Sequence, residues 1–67
     1  MNVIRHGEWS FAVRLCRNGM AGAIAWCRRG EIASDNPMDA VGDVWFEFGD
    51  TEDEAIAKLM REVGVAT

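Results

Sequence analysis

Few side chains in this chain are of the types that carry out covalent chemistry. It has one histidine, His6, two cysteines, Cys16 and Cys27, two serines and no tyrosine. A hydrolase or transferase usually pairs a nucleophile with a base, and a zinc site usually shows a Cys-x-x-Cys spacing, but the sequence has neither pattern. We therefore expect no catalytic residue, no metal ligand and no cofactor, and we predict that the protein is not an enzyme.

Acidic residues recur at every fourth position in one segment, namely Asp35, Asp39, Asp43 and Glu47. On a single helix this spacing would align carboxylate oxygens on one face, where they could bind a divalent cation. A proline at position 37 and a glycine at position 42 interrupt any such helix, so we favour a solvated acidic loop. The alternative is a small-molecule or divalent-metal-dependent protein that uses the acidic loop 35–43.

Charge is distributed unevenly along the 67 residues, which are predicted to form a single domain, 1–67. Residues 1–30 hold five arginines and one acid, whereas residues 31–67 hold ten acids and two bases. This asymmetry predicts either an acidic surface that meets a basic partner or elements that attract one another inside the fold. The net charge of −4 and the isoelectric point near 4.7 argue against direct binding of nucleic acid.

The sequence does not predict a membrane segment or a secretory leader. Its N-terminus lacks an apolar leader region, and its longest apolar stretch, residues 20–27, is too short to cross a bilayer. Cys16 and Cys27 are predicted about 13 Å apart in the sheet, beyond disulfide reach. We therefore expect reduced thiols and a soluble, cytoplasmic protein, located in the host cytoplasm if a phage encodes it.

Two strands and a reversal are predicted in the first half of the chain. Large apolar residues alternate with small or polar ones over residues 9–16 and again over 22–28, which is the period of a half-buried strand. The Asn-Gly pair at 18–19 favours the positive φ that a tight turn requires. These residues therefore predict a β-hairpin.

Burial selects between two registers of this hairpin. A loop with an even number of residues places Val13 and Leu15 on the same face as Ile24 and Trp26. A loop with an odd number would bury Arg14 among these large apolar groups, so the even register is predicted.

A third strand is predicted over residues 43–48. Its alternation places Val44, Phe46 and Phe48 on the side that a helix would cover, and it places Trp45 and Glu47 on the opposite side. Residues 31–42 between the second and third strands are predicted to form a long polar loop with at most a short helical turn at 38–41.

An amphipathic helix is predicted directly after this strand. Thr51 and Glu54 have the spacing of a capping box, and Gly64 fits the position that ends a helix. The apolar stripe between them consists of Ile56, Leu59, Met60 and Val63. The predicted fold class is α+β: a three-stranded antiparallel sheet, made of a hairpin and a third strand, with one C-terminal amphipathic helix packed on one face.

The sheet face opposite the predicted helix is flat and composed of small residues around one tryptophan, so either water or another subunit or partner is expected to cover it. The prediction includes a homodimer through the face of Ala23, Ala25 and Trp45 or through an exposed strand edge. The predicted partner-binding residues are Arg14, Trp45, Glu47, Asp35, Asp39, Asp43, Glu52 and Asp53.

The junction between the third strand and the helix, Gly49-Asp50-Thr51-Glu52-Asp53-Glu54-Ala55, resembles that of the N-terminal domain of HicB-like antitoxins. The resemblance implies a partial ribonuclease-H-like fold without catalytic residues and a protein partner such as a basic nuclease or toxin. It does not extend to the DNA-binding C-terminal segment of that family. In size and acidity the chain is also similar to small phage-encoded inhibitors such as anti-CRISPR proteins, which implies a CRISPR effector as the partner.

Overall fold

The computed structural model describes residues 2–17, 19–39 and 42–65. Its elements are β1 (Asn2–His6), β2 (Trp9–Leu15), β3 (Ala23–Arg29), a turn of 3-10 helix (Pro37–Asp39), β4 (Trp45–Gly49) and α1 (Glu52–Val63). The predicted α+β class is confirmed, with an antiparallel sheet and one C-terminal helix. In this part of the chain, no helix has the length and apolar content that a membrane span requires.

The sheet has four strands in the order β1-β2-β3-β4, so the prediction of three strands was wrong. The additional strand is β1, which pairs with β2 through a two-residue turn from His6 to Trp9. Gly7 takes the positive φ, 62°, that such turns require. Every residue of β1 is exposed, which explains why the strand lacks the apolar alternation that identified the others.

The register between β2 and β3 is the odd one, so the predicted even register was wrong. Ala12 pairs with Trp26, Val13 pairs with Ala25 and Arg14 pairs with Ile24. Directly paired residues point to the same side of a sheet, so Val13 does not share a face with Ile24 or Trp26. The predicted turn residue Asn18 lies outside the described residues.

Helix packing explains why the odd register is stable. Ala23, Ala25 and Cys27 of β3 are completely buried on the face that α1 covers, in one cluster with Ala55 and Leu59. Small side chains allow the helix to approach the sheet closely, and close packing maximises dispersion contacts. The helix therefore selects the small residues of β3, and the large ones face the other way.

The same register assigns the side chains of β4, and it reverses the predicted orientation. Cys27 pairs with Trp45 and Ala25 pairs with Glu47, so these two residues of β4 lie on the helix side. Trp45 is half-buried, and its ring meets the Trp9 ring edge to face at a centroid distance of 5.4 Å. Phe46 and Phe48 lie on the opposite side.

A homodimer through the face of Ala23, Ala25 and Trp45 is excluded by this arrangement. Ala23 and Ala25 have no exposed surface because α1 covers them. That route to the dimer was wrong, whereas pairing through a strand edge stays a prediction.

The predicted limits of the helix are confirmed. The Thr51 hydroxyl accepts a hydrogen bond from the Glu54 backbone N–H at 3.1 Å, and Gly64 ends the helix with a φ of 78°. The strand enters the helix at a position where only glycine fits. A Cβ atom on Gly49 would lie 2.6 Å from the backbone nitrogen of Ala55.

The two cysteines lie on opposite faces of the sheet, not on the same face as predicted. Both are free: Cys27 is under α1, and Cys16 packs beside Ile24 on the other side. Burial raises the pKa of the Cys27 thiol from 9.0 to about 11. Cys27 therefore behaves as an apolar core residue.

The orientation of β4 is tested by a pair of alanine variants. Trp45→Ala is expected to lower the free energy of unfolding by about 2–4 kcal/mol, because the ring packs against Trp9 and the cluster under α1. Phe46→Ala is the matched control and is expected to cost about 1 kcal/mol or less, because its ring is half exposed. Urea titrations followed by far-UV circular dichroism measure both values. A larger loss for Phe46→Ala would contradict the orientation.

Candidate partner-binding surface

The loop after β3 covers the centre of the sheet face opposite α1. Ile32 of this loop packs on a second apolar cluster, which contains Ala12 and Trp26. The Trp26 side chain is only 1% exposed. The loop begins where the Arg28 guanidinium donates to the Glu31 carbonyl oxygen at 2.6 Å. The chain thus covers the centre of this face with its own loop, and the face of small residues that was predicted to lie open is the one that α1 covers.

Two arginines hold the far end of this loop. Arg14 Nε donates to the Asp35 carbonyl oxygen at 2.8 Å, and its guanidinium lies 5.8 Å from the centre of the Trp26 ring. Arg17 forms an ion pair with the Asp35 carboxylate. The hydrogen bond that Arg17 donates in this pair, together with its positive charge, lowers the pKa of the Asp35 carboxyl. Among the predicted site residues, Arg14 and Asp35 are thus brought together, in a structural contact.

The three aspartates of the predicted acidic loop do not converge. Asp35 is paired with Arg17, whereas the Asp39 carboxylate accepts a hydrogen bond from the Ser34 hydroxyl at 2.8 Å. Asp43 lines a different depression. Within residues 2–17, 19–39 and 42–65, no group of three histidine, cysteine, aspartate or glutamate side chains is placed to hold a metal ion.

A shallow pocket lies between the loop and the sheet. Trp26 and Arg28 line one side of it, and Ser34, Asn36 and Asp39 line the other. Its volume of about 130 Å³ is well below the several hundred Å³ of a typical small-molecule site. The pocket has room for a few water molecules.

Two phenylalanines of β4 lie on the sheet face opposite α1 and remain exposed beside the loop. Phe46 and Phe48 are 53% and 45% exposed, and their rings meet edge to face with a centroid distance of 6.0 Å. Phe48 also lines a shallow depression with Met20, which is 62% exposed, and with Ile24. Exposed neighbouring aromatic rings are typical of residues that anchor a protein partner.

Sequence reasoning did not identify Phe46 and Phe48 as surface residues. In the sequence, Trp45 and Glu47 alternate with them, and alternation alone does not say which set faces the helix. Glu47 gives no signal either, because a carboxylate between two phenylalanines is compatible with either side of a strand at the edge of a sheet.

The other predicted site residues are dispersed. Trp45 and Glu47 lie on the helix side of β4, so they were wrongly assigned to an open face. Glu52 and Asp53 lie in the first turn of α1, where the helix dipole stabilises their charge. Hydrogen bonding to Glu47, with a smaller effect of burial, raises the pKa of the Glu62 carboxyl.

No protein-family model, curated protein or solved structure matches this chain. The function is therefore argued from the surfaces of the molecule.

The contact between Arg17 and Asp35 predicts that acid loosens the loop. Folding lowers the pKa of Asp35, so this contact contributes stability above the ordinary aspartate pKa and loses it as the pH falls through the lowered value. The Trp26 indole resonance is expected to titrate with an acidic midpoint in the wild type and to lose that step in Asp35→Asn. Glu31→Gln is the control and is expected to keep the step. An unchanged titration in Asp35→Asn would contradict the role of this contact.

Proposed function

We propose that this protein binds a macromolecular partner and neutralises it, without a reaction of its own, as antitoxins and small anti-defence inhibitors do. The observation that carries the proposal is the exposed pair of Phe46 and Phe48 on a strand at the edge of the sheet. A domain of 67 residues buries a smaller fraction of its surface than a large domain does, so its stability depends on burying the large apolar side chains that it has. Two adjacent aromatic rings that stay half exposed therefore indicate a surface for interaction with another molecule.

The distribution of covered surface supports the same proposal. One face of the sheet packs against α1, and the centre of the other face packs against the loop that contains Ile32. The rings on β4 are therefore left at the margin of the second face. A protein partner could contact exposed rings at the margin of the sheet. An enzyme that acts on a small molecule would need a deeper pocket than the one beneath the loop.

Charge supports a basic partner. The first turn of α1 carries Glu52, Asp53 and Glu54, and all of them belong to the acidic half of the chain. Such surfaces attract basic proteins from a distance and accelerate their association. A ribonuclease toxin or a CRISPR effector with a basic nucleic-acid groove has the required charge, and we propose these as the partner class in the cytoplasm of the host.

Affinity capture from the cell that encodes this chain, followed by an activity assay, tests the proposal. The wild-type chain is expected to retain a basic partner, and the purified partner is expected to lose its activity when the chain is added. A double variant, Phe46→Ser with Phe48→Ser, is expected to retain less of it. The matched control, Val3→Ser with Ile4→Ser, changes two half-exposed residues of β1 and is expected to behave like the wild type. A partner whose activity is unaffected by the chain would contradict the neutralising role.

The acidic turn of α1 is predicted to act on the rate of association. Glu52→Lys combined with Asp53→Lys is expected to slow association several-fold and to flatten its dependence on ionic strength, because rim charges mainly steer the encounter. Glu8→Lys, at the opposite end of the sheet, is the control. Stopped-flow measurements at several salt concentrations with the captured partner give both quantities. Unchanged kinetics in the double variant would show that these carboxylates are solvated surface groups that do not steer association.

A further inference from the structure

Among residues 2–17, 19–39 and 42–65, no strand pairs with the outer edge of β4. The hydrogen bonds of the hairpin show which backbone groups lie along that edge. Cys16 N–H donates to the Gly22 carbonyl and Gly30 N–H donates to the Glu8 carbonyl, each at 3.0 Å. These bonds show that the even-numbered residues of β3 bond to β2, so its odd-numbered residues bond to β4.

It follows that Trp45, Glu47 and Gly49 bond to β3, and the N–H and C=O groups of Phe46 and Phe48 point away from the sheet. The position of Lys58 agrees with this, since its Nζ reaches the Phe48 carbonyl oxygen from outside the sheet at 3.4 Å. Apart from this contact with Lys58, the outward N–H and C=O groups have no hydrogen-bond partner among the described residues. Such groups form a template for another strand, which would displace the long Lys58 contact.

The side chains along this edge specify what such a strand would carry. Phe46 and Phe48 point to one side of the sheet, and Glu47 points to the other. A residue of opposite charge on a neighbouring strand stabilises a carboxylate in such a position. An added strand would therefore place apolar residues opposite the two phenylalanines and a basic residue opposite Glu47.

We propose that the free edge of β4 binds an extended segment of a partner protein with the pattern apolar-basic-apolar, which adds a fifth strand to the sheet. This inference rests on the proposed function and names the mode of recognition. The segment's backbone bonds to Phe46 and Phe48, its apolar side chains pack on their rings, and its lysine or arginine contacts Glu47.

A second copy of this chain fits the edge less well. If two β4 strands paired antiparallel about Glu47, Phe46 of each copy would meet Phe48 of the other. The two Glu47 residues would then be directly opposite each other, and like charges in that position destabilise a sheet. The edge at β1 also differs, because it presents Val3 with Arg5 in place of an apolar pair.

Synthetic peptides test this inference on the intact chain. The probe is Thr-Val-Lys-Val-Lys-Val-Thr, and the control peptide has glutamate in place of both lysines. The lysine peptide is expected to bind saturably and to shift the amide resonances of Phe46 and Phe48, with the glutamate peptide about tenfold weaker. A lysine peptide with N-methylated valines is expected not to bind, because it lacks the donors that pair with the edge.

Variants of the chain give the second half of the test. Glu47→Lys is expected to reverse the preference between the two peptides, and Phe46→Ser with Phe48→Ser is expected to weaken binding of the lysine peptide about tenfold or more. Val3→Ser on the opposite edge is expected to bind as the wild type does. Circular dichroism verifies that each variant is folded.

Several results would overturn the inference. These are equal binding of both peptides, no binding of the lysine peptide at millimolar concentration, or shifts confined to β1 or to the loop. Shifts at Phe46 and Phe48 that follow protein concentration without peptide would indicate a second copy, and the same shifts with oligothymidylate would indicate nucleic acid. If the peptides fail while the wild type neutralises the captured partner and the Phe46→Ser, Phe48→Ser variant does not, the proposed function stands and only strand addition at this edge is refuted.

Discussion

The pairing of Ala12 with Trp26 determines which side of the sheet the remaining side chains occupy. Because side chains alternate along each strand, this one register places the small residues of β3 under the helix and the large ones under the loop. A shift by one residue would press Trp26 against α1 and hold the helix away from the sheet. The helix does approach the sheet closely where the chain leaves β4, since a Cβ atom on Gly49 would lie 2.6 Å from the Ala55 nitrogen.

In this arrangement, the contacts that stabilise the fold and the surface proposed to bind a partner lie on different parts of the sheet. The helix and the loop use the two faces of the sheet, and the loop is held in place by Arg14 and Arg17 through Asp35. Arg14, which was predicted to bind a partner, and Arg17 thus hold the loop in place. The edge strand β4 carries two exposed aromatic rings, a carboxylate and backbone groups that point away from the sheet, which are the features that strand addition uses.

Elements with strong local signals could be predicted from the sequence. Thr51 and Gly64 define both ends of α1 through capping chemistry that depends only on neighbouring residues. The strand β1 could not be predicted in this way, because it is exposed on all sides and carries no burial pattern. Its one local signal is Gly7, followed by a single residue before Trp9.

The orientation of β4 was beyond the sequence for a different reason. Phe46 and Trp45 have similar apolar surface, so burial alone does not choose between them. The orientation is set by Ala25 and Cys27, because their small side chains allow the helix to pack closely on that face. Glu47 and Trp45 are paired with these two residues, so they lie on the same face. The candidate site followed from that choice, so its aromatic anchors were found only when the register was known.

Hydrogen exchange along β4, followed residue by residue by NMR, tests this account most directly. The amides of Trp45 and Glu47, which bond to β3, are expected to be protected, and those of Phe46 and Phe48, which point to solvent, are expected to exchange at least about tenfold faster. Protection of Phe46 and Phe48 with fast exchange at Trp45 and Glu47 would contradict the register, and with it the free edge on which the proposed binding mode depends.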